Sequence, residues 1–313
     1  MTDYGHDLLF GAFITPVARP ATHAVDLALT AERTGLDLAT FQDHPYQASF
    51  LDTWTLLSYV AARTERIHLA GNVLNLPLRQ PAVLARSAAA LDLLSGGRHE
   101  MGIGSGAFWD AIAAMGGRRL SPGQAVTALE EAIEIMRQVW DTGERGGVHV
   151  DGKFYHVAGA RRGPAPAHRI PIWIGAYKPR MLRLTGRLGD GWLPTQSYLP
   201  GGLSDLREMN AVIDEAALAA GRDPASIRRL INIGGRFTST GHGLFDGPPQ
   251  QWAEQLAEVA LDYGMSAFIL GGDDPYALEL FAREVAPATR ELVAAERGSI
   301  AGKTLSAPTP LPS

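Results

Sequence analysis

An α/β fold closed into a (β/α)8 TIM barrel is what the sequence predicts, on three observations. Short apolar, strand-like runs alternate with longer helical patterns along nearly the whole 313-residue chain. The alternation repeats eight times with no break in composition, as a single barrel requires. The first three units also begin about 29 residues apart, a rough period for repeated strand–helix units. Length alone leaves one barrel and two small domains equally open.

The expected strands, in order, are "LLFGAFI", "DLATFQ", "RIHLAGNV", "RHEMGIG", "IPIWIGA", "DGWLPT", "RLINIGG" and "SAFILGG". Helix signals stand between them. "LSGGR" after Leu94 supplies glycine where the third helix should stop. "SPGQ" puts Ser121 at an N-cap, Pro122 at the first helical position and Gln124 at the third. Behind it Val126, Leu129, Ile133, Met136 and Trp140 recur at spacings of three and four, so one helix face is apolar. "DDPYALE" repeats the cap-then-proline signature at Asp274 and Pro275. The rhythm breaks once, at about 141–169, where "VHVDGKFYHV" reads as a hairpin turning at Asp151-Gly152 and "RRGPAPAHRIP" leads the chain back. This insertion follows strand four and is expected on the face where barrel active sites are built, as a lid or as decoration. The barrel is expected to occupy 1–297, with an aperiodic, disordered tail over 298–313.

Composition excludes several classes. A net charge of −5 leaves no basic footprint for nucleic acid. The absence of cysteine rules out disulfides and thiolate chemistry. None of the three lysines, Lys153, Lys178 and Lys303, ends a strand in a way that suits a Schiff base. Strand one has no histidine pair of the metal-dependent amidohydrolase kind, and the scattered histidines give no other metal spacing, so no metal is expected. Paired carboxylates for glycoside hydrolysis are not evident at the strand ends. The N-terminus carries acidic residues where a signal peptide needs positive charge, and no apolar run approaches a membrane span of about 20 residues. A cytoplasmic protein without a membrane partner is expected.

Active sites of such barrels lie at the carboxyl ends of the strands. Read in order, these ends are Thr15-Pro16, Asp43-His44, Asn72 with Asn75, the glycine-rich "GIGSGAFWD" holding Gly104, Ser105 and Gly106, then "GAYKPR" and "LPTQS". Each has a bland reading: Asp43-His44 as a structural polar pair, "GIGSG" as a tight turn, "GAYKPR" as an ordinary helix start. The functional reading of "GAYKPR" is that free helix amides flanked by Lys178 and Arg180 suit a phosphate.

"FQDHPY", "AGNVLNLPLRQPAVLARSAAALDLLSGGRHEMGIGSG" and "IPIWIGAYKPRMLRLTGRLGDGWLP" together resemble the bacterial-luciferase-like flavin-dependent oxidoreductases, from about Leu8 to Ala294. The resemblance implies the same barrel and a cofactor that is either the deazaflavin coenzyme F420, slightly favoured by "QDHPY", or FMN used in reduced form with molecular oxygen. It implies an isoalloxazine-like ring in the mouth, a non-proline cis peptide at Asn72-Val73 behind it, and a phosphate or tail site at Gly175, Ala176 and Tyr177. His44 is then expected at the reactive ring edge, exchanging a proton while hydride moves to or from a small organic substrate. Asp43 either fixes its tautomer or binds the cofactor. The deazaflavin-dependent sugar-phosphate dehydrogenases of the family carry a tryptophan and a glutamate where this chain has Ala48 and Ala107, which argues against glucose 6-phosphate. Tyr46, Phe108 and Trp109 suggest a flatter, more apolar substrate, with Trp109 alternatively packing the barrel top. A two-component FMN monooxygenase with a reductase partner and a non-catalytic flavin-binding barrel are the competing readings. The family's common homodimer is expected, on the alanine-rich helices near 55–62 or 82–94.

Overall fold

The computed structural model describes residues 2–305. Eight strands form the closed ring of its central sheet: β1 (Leu9–Ile14), β2 (Leu38–Phe41), β3 (His68–Gly71), β4 (His99–Gly104), β5 (Ile172–Ile174), β6 (Gly191–Trp192), β7 (Arg228–Ile233) and β8 (Ala267–Gly271), with the two-residue strand Leu74–Asn75 also paired on β4. Each runs parallel to the next, and β8 pairs back onto β1 with Ala267 opposite Leu9, so the ring closes. All eight strands match the apolar runs read from the sequence. Eight longer helices surround them: α1 (His23–Thr34), α2 (Thr53–Ala61), α3 (Pro81–Ser95), α4 (Pro122–Trp140), α5 (Pro179–Leu188), α6 (Asp205–Ala219), α7 (Pro249–Tyr263) and α8 (Ala286–Leu305).

Local chemistry sets several of these boundaries. Gly96 stops α3 at a φ of +70°, a conformation other L residues rarely adopt. A reciprocal capping box starts α4: Gln124 N donates to Ser121 Oγ, and Ser121 N donates to Gln124 Oε1 at 2.8 Å. Asp274 accepts from Tyr276 N at 3.0 Å and caps the short helix Pro275–Leu280.

Period-two alternation divides the apolar residues into two cores. Phe10, Ala12 and Ile14 of β1 belong to the large cluster between strands and helices. Leu9 and Phe13 point the other way, into the barrel, with Leu38, Ala70, Trp173, Leu193, Leu230, Ala267 and Ile269. These residues plug the barrel interior. Glycine makes room for the largest of them: a Cβ on Gly191 would stand 2.5 Å from the Trp173 indole. Below the plug the same strand faces carry His68, Glu100 and Arg228; above it they carry the site.

Two expectations are corrected here. The hairpin (Val148–Asp151 with His156–Ala160) follows helix α4, which runs opposite to the strands, so the insertion is rooted at the amino-terminal end of the barrel. His168, near its end, bonds through Nδ1 to Asp92 at the foot of α3 (2.8 Å). The hairpin tip nonetheless reaches the other end: Phe154 and Tyr155 line a cavity with Pro77, Gln80 and residues 116–118 of the loop after β4. Its turn is not the two-residue Asp151-Gly152 kind: Asp151 pairs with His156, leaving a four-residue loop whose 153–155 amides all donate to Glu131 of α4. The second correction concerns the tail. Helix α8 continues through Gly298 and Gly302 to Leu305, because each helix-interior glycine costs only about 1 kcal/mol and no proline intervenes. Residues 306–313 of the expected tail lie outside the described residues.

Candidate active site

Directly above the apolar plug, the next inward position of four strands or strand ends is polar. Thr40 follows Leu38, Asn72 follows Ala70, Thr195 follows Leu193 and Asn232 follows Leu230. They form one network. Asn72 Nδ2 donates to Thr40 Oγ1 (3.1 Å) and Asn232 Oδ1 (2.7 Å). Asn232 Nδ2 donates to Asn72 Oδ1 (3.0 Å) and Thr195 Oγ1 (3.0 Å), while Thr40 Oγ1 donates to Ala12 O (3.0 Å). A buried network with both amides paired is a rigid floor.

The Asn72-Val73 peptide above that floor is cis, as the resemblance implies. From the pair Ala70–Glu100 to the pair Leu74–Ile103 the third-strand line advances four residues and β4 only three, so a bulge occupies Gly71–Val73. Val73 stands on that bulge. A Cβ on Gly104 would lie 2.7 Å from Val73 Cγ2, and one on Gly175 would lie 3.3 Å away, so two glycine strand ends admit the valine. Asn75, two residues on, is buried, and its Oδ1 has no hydrogen-bond partner among the described residues. Ser105 and Gly106 continue the same wall. Gly106 turns the chain at a φ of +98° beneath Pro77 and Trp109.

His44 is half-buried at the rim. Its ring stacks on Tyr46 (centroids 5.4 Å, interplanar 20°) and meets Phe108 edge-on (5.4 Å, 79°). No hydrogen bond joins that ring to another described residue. Burial lowers the His44 pKa below the usual imidazole value, and the Asp43 charge only partly opposes this. The Tyr46 phenol is pushed up to about 12, by burial first and Asp43 second. Neutral imidazole is therefore the prevailing form at neutral pH. Phe108 is 56% exposed, an apolar ring left in the open mouth.

Asp43 does not serve His44 as a tautomer-fixing partner. It is buried, and its carboxylate is committed elsewhere: Oδ2 accepts from Asn75 N (2.8 Å) and Arg79 Nε (3.0 Å), and Oδ1 accepts from Arg79 Nη2 (2.9 Å). Two groups that want an anion hold it turned from the ring beside it. The expected grouping of Lys178 with Arg180 is not formed either. Lys178 is exposed at the N-cap of α5, whereas Arg180 leans on the first turns of α4, donating to Thr127 Oγ1 at 3.2 Å. Gly175 and Tyr177 stand beyond the end of β5, whereas Ala176 is buried in the core between strands and helices and does not face the mouth. Gly175 N donates to Ile103 O, Ala176 O accepts from Trp192 Nε1 at 2.9 Å, and Tyr177 Oη accepts from Thr195 N at 2.8 Å. Thr15 N donates to Asp273 Oδ1 at 2.9 Å between the ends of β1 and β8. Trp109 packs on the Gly106 turn, the alternative role read from the sequence.

The sequence reading missed Arg79, Thr40, Thr195 and Asn232. Asn232 was legible as an inward position of strand seven. Arg79 carried no signal, because its partner lies 36 residues away in sequence.

A family model described as luciferase-like monooxygenase matches residues 6–237. The chain belongs to that family. Within it, the chain is 37% identical over 218 residues to an F420-dependent glucose-6-phosphate dehydrogenase of Nocardia farcinica (strain IFM 10152). That match covers 67% of the chain but only 63% of the relative's length. A protein of the same name from Mycolicibacterium gilvum (strain PYR-GCK) is 29% identical over 322 residues, covering 86% of this chain and 94% of that one. Among solved structures, an F420-dependent secondary alcohol dehydrogenase in complex with an F420-acetone adduct superposes with a TM-score of 0.79 at 18% identity, covering 91% of this chain and 99% of that one. The coenzyme F420 dependent tetrahydromethanopterin reductase from Methanopyrus kandleri gives 0.76 at 22%, covering 90% and 99%. At these identities the two structures share the fold.

Proposed function

We propose that this luciferase-family chain is an oxidoreductase that moves hydride between coenzyme F420 and a small organic substrate, with His44 giving or taking the accompanying proton. The observation that carries the reading is a neutral, hydrogen-bond-free imidazole held between two aromatic rings at the rim of a polar-floored barrel mouth. Names of relatives that are F420-dependent support the choice of coenzyme over FMN.

The residues present fit a flat polycyclic ring. Glycines 104 and 175 admit Val73, which projects from the bulge, Gly106 admits Pro77 and Trp109, and the orphaned Asn75 Oδ1 offers a buried acceptor. Val73 and the Asn72–Asn232 floor would support one face, and Ser105 and Asn75 would offer polar contacts at an edge. Thr15, Gly175, Tyr177 and Lys178 would border the remainder, with Lys178 the positive group for a phosphate. When bound, the coenzyme supplies the hydride carrier. The chain's part is to orient, to exclude water with Tyr46 and Phe108, and to hold a proton acceptor or donor at the His44 ring. Phe108 and Tyr46, with Ala48 and Ala107 exposed nearby, favour an apolar, flat substrate.

A cytoplasmic homodimer, supplied with reduced coenzyme by a separate reductase where the flow requires it, completes the proposal. Exposed Tyr59, Val83 and Leu94 on α2 and α3 offer an apolar face for such a dimer. No helix among the described residues is long and apolar enough to cross a membrane. The deciding experiment is a binding titration against F420 and FMN, each oxidised and reduced, followed by fluorescence or absorbance. F420 alone binding tightly is the expected result; preference for reduced FMN would replace this reading with an oxygen-using monooxygenase.

A further inference from the structure

We infer that Arg79 is a positioning residue that neutralises Asp43 and turns it from His44, so that the rim imidazole keeps an uncharged, freely oriented ring. The inference rests on the reading of His44 as the proton-exchanging group, but its test needs no cofactor.

The geometry is specific. Arg79 ends the short 3-10 turn Leu76–Leu78, just beyond the cis bulge, and its guanidinium reaches back to the loop after β2. There it grips Asp43 in a fork, with Nε on one carboxylate oxygen at 3.0 Å and Nη2 on the other at 2.9 Å. Asp52, capping α2, lies 3.6 Å from the same Nη2, and the guanidinium stands 6.0 Å over the Trp54 ring. Arg79 is itself mostly buried, with 17% of its side chain exposed. One side chain thus ties the His44 loop to the segment bearing Asn72, Val73 and Asn75. The Asn75 amide adds a third donor to Asp43.

Of the groups packed on His44, Tyr46 and Phe108 are uncharged, and the Asp43 charge beside it opposes the effect of burial. A free carboxylate at this distance in sequence would hold a proton on the imidazole. Paired with Arg79 it has little net charge to do so. The pair therefore lets burial, which favours the neutral ring, prevail.

The test follows the ring protons of His44 by NMR in the cofactor-free protein across pH 4 to 8, its signals assigned by their loss in His44→Gln. Arg79→Gln should raise the His44 pKa by about one unit, because Asp43 is left uncompensated. Asp43→Asn should not raise it, and the double variant Arg79→Gln with Asp43→Asn should return it toward the parent value. Arg79→Lys should lie between, since it keeps charge and loses the fork. In turnover assays Arg79→Gln should move the acid limb of the kcat/KM profile upward in step. A His44 pKa unchanged in folded Arg79→Gln would overturn the inference. Should Arg79→Gln fail to fold, Arg79→Lys and the double variant decide it: equal pKa values in both would also overturn it. Failure of F420 to bind would sink the functional proposal while leaving these titrations readable.

Discussion

At the scale of single residues, the site separates chemistry from support. His44 faces the mouth without a hydrogen-bond partner among the described residues, while Asp43, next to it in the chain, is buried against Arg79. His44→Ala should therefore cut turnover by about 10²–10⁴-fold while leaving the F420 dissociation constant nearly unchanged. Steady-state kinetics beside a fluorescence titration checks this, and an equal loss in both would remove the proton role. Gly104 tests the other half of the site. Its missing Cβ is the space Val73 occupies, since an added carbon would stand 2.7 Å from Val73 Cγ2. Gly104→Ala should displace Val73, lower cofactor affinity, and cost about 1–3 kcal/mol of stability through overpacking. Calorimetry with and without cofactor separates the two effects.

Elements show where sequence patterns were sufficient and where they failed. Every barrel strand was legible, because each is a short apolar run between recognised helix signals, such as the Ser121–Gln124 box and the Gly96 stop. The hairpin was legible as a hairpin, yet its face was not. Placing it required noting that a helix separates it from strand four, which moves its root to the opposite end of the barrel. Its turn was misread for a related reason: Asp151-Gly152 has the composition of a two-residue turn, but Glu131 on α4 gathers the next three amides. Such a capture depends on tertiary proximity and leaves no mark in local sequence. The same holds for Arg79 and Asp43, while Asn232 was available to simple period-two counting. The Glu131 anchor makes its own prediction. Glu131→Ala should speed hydrogen exchange at Lys153, Phe154 and Tyr155 and cost only about 1–2 kcal/mol. Unchanged exchange at these three amides would mean that Glu131 does not hold the loop, and weakened cofactor binding would show that the loop acts on the mouth it approaches.

For the whole molecule, the barrel interior is layered, with polar residues at the foot, an apolar plug, and a polar floor beneath the site. The plug isolates the mouth from the foot, so the two ends can respond to pH separately. At the foot, His99 faces the helix layer, fully buried and edge-on to Trp54 at 5.4 Å, and neither ring nitrogen has a hydrogen-bond partner among the described residues. Burial pushes its pKa down to about 4, with Asp92 only partly opposing. The unfolded chain takes up this proton near pH 6.5, the folded one only near 4. Between those values the unfolded state binds more protons, so stability rises with pH; it is complete above 6.5 and is lost progressively as pH falls toward 4. The full loss is about 3 kcal/mol, on the order of 6 °C in Tm for a chain of this size. His99→Leu, of similar volume and with nothing to protonate, should flatten the fall in Tm between pH 7 and 4.5 without lowering Tm at pH 7. Thermal melts of both proteins across that range check it. A parallel fall in both would mean that the acid sensitivity lies in other groups and that His99 meets its proton without cost.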